Sequence, residues 1–115
     1  MIETSIEERV AFVTLNRPDR RNALTIEGLD ALEDAIEAVD VPVVCLRGAG
    51  SAFCAGADLA TVADLDSDEA EAFARRGQHV AETIEQSSAV VVAAIDGAAR
   101  GGGVELASGT AVCAA

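Results

Sequence analysis

Hydrophobic positions recur with two different periods along this chain, and the places where one period gives way to the other divide it into elements. From Val10 to Leu15, in RVAFVTLNRP, β-branched and aromatic residues run together until Asn16 to Pro18 break them, which predicts a strand. Leu29, Leu32, Ile36 and Val39 then return at helical spacing. Thr25 stands where an N-cap belongs, with Leu24 and Leu29 at the two positions of a hydrophobic staple. VPVVCLRG, from Val41 to Gly48, is a nearly continuous apolar run that suits a strand buried on both faces. Ser67, with Asp68 and Glu69, marks a second helix start, and Ala70, Phe73, Gly77, Val80 and Ile84 form its buried stripe. AVVVAAID, from Ala89 to Asp96, is another buried strand, and the glycine triplet after it introduces a third helix. Strand, helix, strand, helix, strand, helix means an α/β domain. No internal repeat or low-complexity linker divides this pattern, so the chain reads as one domain or part of one.

Composition describes the core that these elements share. The chain has 115 residues, half of them apolar but only 3% aromatic, so the core is built from small side chains. No 18-residue apolar run occurs, and MIETSIEERV carries acids where a signal peptide carries basic residues and then an apolar stretch. Neither a membrane span nor export is expected, and the expected location is cytoplasmic. Cys45, Cys54 and Cys113 are widely spaced, without a C-x-x-C pair or histidine partners, and read as small apolar fillers in a reducing compartment, not as metal ligands.

Charge removes one class of partner. Twenty acidic residues face eight basic ones, for a net charge of −12, and all eight are arginines. Little on such a surface would neutralise phosphates, so nucleic-acid binding is disfavoured. An acid-rich, lysine-free surface fits a halophilic protein, in which molar salt screens self-repulsion over roughly 3 Å. The alternative is an acidic protein of ordinary salt.

Two glycine loops stand directly after buried strands: RGAGSAFCAGADLA, Arg47 to Ala60, and DGAARGGGVELASG, Asp96 to Gly109. Glycine triplets cost backbone entropy, so they mark either a turn or linker, or a site where a ligand meets backbone N–H groups at a helix start. The GAG beginning at Gly48 opens a dinucleotide-binding pattern, but Phe53 occupies the position of its third glycine. The Walker pattern is absent, because the chain has no lysine.

NRPDRRNAL followed by an amphipathic helix, then GAGSAFCAGADL, then DGAARGGGVELA, resembles the crotonase family of enoyl-CoA hydratases and isomerases. The three motifs occur in the family's order, and the match runs from about Val10 to Ala107. The resemblance implies a crotonase-like spiral of ββα units and two backbone N–H groups forming an oxyanion hole for an acyl-CoA thioester. By motif position those donors fall on Ala57 and Gly102. Ala23, Leu24, Ala55, Gly56, Asp58, Leu59 and Gly101 are then substrate-binding positions. Arg20 and Arg21 either meet coenzyme A phosphates or are simply solvent-exposed. Asp58 is expected to fix its loop by bonding backbone N–H groups. His79 is expected on a solvated helix face, and Arg100, which replaces an aliphatic residue common in the family, is assigned no role.

The chemistry suits these residue types. A thioester carbonyl gains negative charge as its α-carbon becomes enolate-like, and preorganised N–H donors stabilise that charge. Glu105 lies three residues after Gly102, about one helical turn on, and the tilt of Cα–Cβ leans its carboxylate back toward the same ligand. In the family's hydratases a glutamate here works with a second one farther along to add water across the 2,3 double bond. Glu105 matches the first, and the second has no counterpart before Ala115. The expectation is therefore the N-terminal portion, residues 1–115, of a crotonase-fold domain that is incomplete at its C-terminus, without the later catalytic loop and C-terminal helices. Enoyl-CoA hydration is the leading activity of its full-length, homo-oligomeric relatives. The competing class is a non-catalytic truncated homologue that binds acyl-CoA weakly or associates with other subunits, and an isomerase or thioester hydrolase ranks behind both. No metal or cofactor is expected beyond the coenzyme A of the substrate.

Overall fold

The structure is a computed structural model that describes residues 1–95 and the backbone of two further strands, 98–99 and 112–114. Seven strands and three helices run in the order β1 (Ile2–Glu7), β2 (Val10–Leu15), α1 (Ile26–Ala38), β3 (Val43–Gly48), β4 (Ala52–Cys54), α2 (Leu59–Ala63), α3 (Ser67–Glu85), β5 (Val90–Ala94), β6 (Ala98–Ala99) and β7 (Val112–Ala114) among the described residues. A large sheet has the order β1-β2-β3-β5-β7, antiparallel between β1 and β2 and parallel from there on. A small parallel sheet pairs β4 with β6. Each of β3 and β5 is thus followed by a short strand of the second sheet, and β3–β4 with the helices after it forms a ββα unit. The third helix expected after the glycine triplet lies outside the described residues.

The core fills one face of the large sheet. Ala11, Val13 and Leu15 of β2, Val44 and Leu46 of β3, and Val91 and Ala93 of β5 point into it, against Leu29, Leu32 and Ile36 of α1 and Val80 and Ile84 of α3. Burial alternates along β2 and β3, with Val43 and Cys45 only half-buried, and Val90 of β5 is exposed. The two-faced burial expected for Val41–Gly48 and Ala89–Asp96 is therefore corrected: α1 and α3 pack on one face, and only the residues under them are fully enclosed.

Both long helices begin on side-chain caps. Thr25 Oγ1 accepts the Gly28 N–H at 3.0 Å, and the staple residues Leu24 and Leu29 are both in the core. For α3 the cap is Asp66, one residue ahead of the expected Ser67. Asp66 accepts the Glu69 N–H at 2.8 Å while Glu69 accepts the Asp66 N–H at 3.2 Å, a complete capping box. Of the expected α3 stripe, Val80 and Ile84 are buried, but Ala70, Phe73 and Gly77 are only half-buried.

An ion network crosses from α3 to α1 above this seam. The Arg76 guanidinium meets both Glu33 oxygens at 2.9 and 3.0 Å and Asp30 at 2.8 Å. His79 is exposed, as expected, and its Nε2 lies 3.1 Å from the same Glu33. The Arg76 hydrogen bonds first, with the Arg76 charge and a hydrogen bond from the Thr83 hydroxyl, hold the Glu33 carboxyl below its usual range.

β1 was not expected, because Glu3, Glu7 and Glu8 give its stretch a polar reading. It forms by pairing with β2 in register from Ile2↔Leu15 to Glu7↔Val10, around a turn in which Glu8 takes a φ of 56° without a glycine. Almost all of β1 is exposed, so its acids are solvated along the edge of the sheet. Among the described residues no helix is long and apolar enough to cross a membrane, and no cluster of His, Cys, Asp or Glu is grouped to hold a metal ion.

Candidate active site

The chain leaves β2 through Asn16–Pro18, makes a 3₁₀ turn over Pro18–Arg20, and then places Arg21 and Asn22 in the left-handed region, at φ 53° and 58°. Asparagine tolerates that conformation better than most residues, and here its side chain repays the strain. Asn22 is fully buried. Its Oδ1 accepts the Arg17 N–H at 2.8 Å, and its Nδ2 donates to the carbonyls of Ala49 at 2.9 Å and Ala52 at 2.8 Å. The loop after β2 is thereby fastened to the first glycine loop. Gly48 is required at that junction, since a Cβ there would lie 2.8 Å from Asn22 Nδ2 and 2.5 Å from the Ala52 carbonyl.

Arg17 makes the second fastening. Its Nη1 donates to Asp58 Oδ2 at 2.7 Å and to the Ala23 carbonyl at 3.2 Å. Asp58 also caps α2, accepting the Thr61 N–H at 3.0 Å through Oδ1. The Thr61 N–H and then the Arg17 guanidinium hold the Asp58 carboxyl below its ordinary range. Asp58 thus anchors its loop through backbone bonding, and α2 occupies a stretch that the sequence presented as loop.

These two ties fix the direction of one N–H group. Leu24 and Ala57 form an isolated parallel bridge in which Leu24 donates to the Gly56 carbonyl at 2.7 Å and accepts from the Asp58 N–H at 2.8 Å. In such a bridge the central residue, Ala57, turns its own N–H and C=O to the side away from its partner. Gly56 reaches this arrangement at φ 97°, a conformation that strains any residue with a Cβ. Among the described residues nothing accepts the Ala57 N–H, and Ala57 is half-buried.

Two cavities meet at Ala57. A cleft of about 300 Å³ is lined by Arg20, Arg21, Ala23, Ala55, Asp58 and Leu59 with Asp19, Ala57 and Ala60. Arg20 and Arg21 are exposed, with no carboxylate in ion-pair distance among the described residues, and Leu59 is 82% exposed on the rim. A second, apolar cavity of about 180 Å³ lies between Leu24, Leu29, Phe73, Ala74 and Gly77, with Gln78 as its one polar wall. Gly56 is buried between the loops, its N–H opposing the upward push that burial gives the Cys54 thiol. Of the expected positions, the structure thus brings together Arg20, Arg21, Ala23, Leu24, Ala55, Gly56, Ala57, Asp58 and Leu59. Gly101, Gly102 and Glu105 lie outside the described residues.

Arg17 and Asn22 were not singled out by sequence. The sign of Asn22 was its place at the end of a turn-rich NRPDRRN stretch, where a side chain able to stabilise left-handed backbone is favoured. Arg17 offered none, because its partner Asp58 is 41 residues away.

A ββα unit built on a largely parallel sheet matches a known class of fold. The enoyl-CoA hydratase of Bacillus anthracis superposes with a TM-score of 0.92 at 33% identity, over 97% of this chain and 46% of that one. Residues 5–115 match the family model described as enoyl-CoA hydratase/isomerase. This chain belongs to that family and has the crotonase fold. It is 41% identical over 106 residues to the crotonyl-CoA hydratase of Syntrophomonas wolfei, and 37% identical over 106 residues to the short-chain-enoyl-CoA hydratase of Clostridium acetobutylicum. Each alignment covers 88% of this chain and 41% of the relative, so the chain spans about two fifths of the length of these curated relatives.

Proposed function

We propose that this chain forms the thioester-binding part of an enoyl-CoA hydratase site. The observation that carries the reading is the Ala57 N–H, held outward by the Leu24 bridge at the junction of the two cavities. Ala57 is one donor to the thioester carbonyl oxygen, and Gly102 is the other. Arg20 and Arg21 attract the coenzyme A phosphates into the cleft, against the repulsion of a protein with a net charge of −12. The acyl group turns past Ala57 into the apolar cavity. Water then adds across the 2,3 double bond: its oxygen bonds to carbon 3, a carboxylate takes its spare proton, and a second acid delivers a proton to carbon 2. Glu105 is one of these two groups. The negative charge that gathers on the carbonyl oxygen between the steps is what the two N–H groups stabilise, at roughly 3 kcal/mol for a single donor.

The test is a crotonyl-CoA titration of the chain, with hydration followed by loss of the enoyl-thioester absorbance. Tighter binding of crotonyl-CoA than of free coenzyme A, weakened by Arg20→Ala with Arg21→Ala, supports the binding role. Turnover abolished by Glu105→Gln supports hydration by residues 1–115 themselves. Binding without turnover assigns them the binding role alone, and no preference for the thioester over coenzyme A removes the proposal.

A further inference from the structure

Gly77 sits in the middle of α3, on the wall of the apolar cavity beside Ala57. Glycine is among the poorest residues for a helix interior, and where one occurs there it usually lets another element come close. Nothing comes close here. A Cβ built on Gly77 meets no heavy atom within 4 Å among the described residues, so packing does not demand the glycine. The missing side chain leaves this wall of the cavity open.

Among that cavity's described lining residues only Gln78 is polar, and Ala57, whose N–H points outward, is one of them. At about 180 Å³ it is somewhat larger than an engineered apolar cavity of about 150 Å³ that takes up a six-carbon ring. We infer that Gly77 determines the acyl-chain length this site accepts, by keeping open the space for an unbranched tail of about six carbons. The inference rests on the acyl-thioester reading given above. A tail whose carbonyl oxygen lies on the Ala57 N–H enters past Leu24 and Leu29 and ends against Gly77, facing Phe73. Each methylene it buries adds about fourfold to affinity, until the space is full.

The glycine therefore has opposite effects on folding and on binding, which gives the inference its signature. The full 115-residue chain and its Gly77→Ala and Gly77→Leu variants are melted, then titrated by calorimetry with coenzyme A and with acetyl-, butanoyl-, hexanoyl- and octanoyl-CoA. Gly77→Ala is expected to melt about 4 °C higher, from helix propensity alone. In the parent chain affinity should climb with chain length to hexanoyl-CoA and then level off. Gly77→Leu, whose four added carbons take up most of the space, should lower the ratio of hexanoyl- to acetyl-CoA affinity at least tenfold. Should the leucine variant fail to fold, Gly77→Ala still carries the test, with the same ratio lowered about fourfold. Identical length profiles in the parent and the variants overturn the inference and leave the acyl-thioester reading standing. A parent chain that binds no acyl-CoA more tightly than coenzyme A overturns both, and a lower melting point for Gly77→Ala overturns the claim that packing does not need the glycine.

Discussion

Two arginines hold two parts of this molecule together, and they do so on different foundations. Arg76 joins α3 to α1 through Glu33 and Asp30 at the rim of a seam that Leu32, Ile36, Val80 and Ile84 already close. Arg17 joins the loop after β2 to the first glycine loop through Asp58, and there the neighbouring contacts are themselves polar: Asn22 with Ala49 and Ala52, and Leu24 with Gly56 and Asp58. One ion pair decorates an apolar contact. The other belongs to a hydrogen-bonded junction that defines where Ala57 points. The scaffold is therefore redundant and the junction is not: an apolar seam spreads its stabilisation over many atoms, whereas a buried polar junction fails when one partner is removed.

Asn22→Ala should do the most damage. It leaves two carbonyls and the Arg17 N–H without their partner and puts alanine at a positive φ, for a cost of about 3 kcal/mol or more in urea unfolding. Crotonyl-CoA binding should be lost with it. Arg17→Met is next, because Asp58 is left 6% exposed without its cation. Its unfolding midpoint should fall further than that of Arg76→Met, and thioester binding should weaken even at temperatures where the chain is folded. Arg76→Met should cost only about 1 kcal/mol and leave binding untouched. Equal losses of binding in the two arginine variants would erase the distinction between site and scaffold.

Acid should act on both regions with the same sign. Glu33 and Asp58 each have a pKa lower in the folded chain than in the unfolded one. Their contributions are complete above the unfolded carboxylate range, at about pH 4, and disappear as pH falls through the lower folded values. Glu33→Gln should flatten that acid dependence in part, and hydrogen exchange should show the remaining loss near Asp58 and α2. Salt should separate the regions by the smallest margin. Molar KCl is expected to raise the midpoint of the parent chain, with 20 acidic and 8 basic residues, as self-repulsion is screened. It should also narrow the gap between parent and Arg76→Met more than the gap for Arg17→Met. A parent chain more stable in dilute buffer would contradict the reading of its acidic surface as suited to high salt.

Sequence was a good guide where information is local. The strand Val10–Leu15, the helix capped by Thr25 and the strand ending at Gly48 were legible because periodicity and capping are properties of neighbours in the chain. The motif around Ala57 singled that residue out, but the direction of its N–H was not legible, since the bridge joins residues 33 positions apart, Leu24 and Ala57. Likewise Asn22 and Arg17 gain their meaning from Ala52 and Asp58, which come near only when the sheet has formed. β1 escaped notice for a different reason: a strand with one neighbour and an almost fully exposed length needs no hydrophobic alternation. Gly77 fitted the stripe that α3 was expected to bury, and only the structure distinguishes a glycine pressed by a neighbour from one that faces open space.

β1 has a colloidal consequence. Any sheet whose outer strand is long and bare is a template on which another copy can lay down a strand, and growth of that kind ends in fibres. Here the outer strand and its turn carry Glu3, Glu7 and Glu8, almost all of the strand being exposed. Two such edges approaching each other antiparallel bring like charges into one narrow ribbon before any backbone hydrogen bond can form. The acids that hid the strand from a hydrophobic reading thereby oppose edge-to-edge polymerisation.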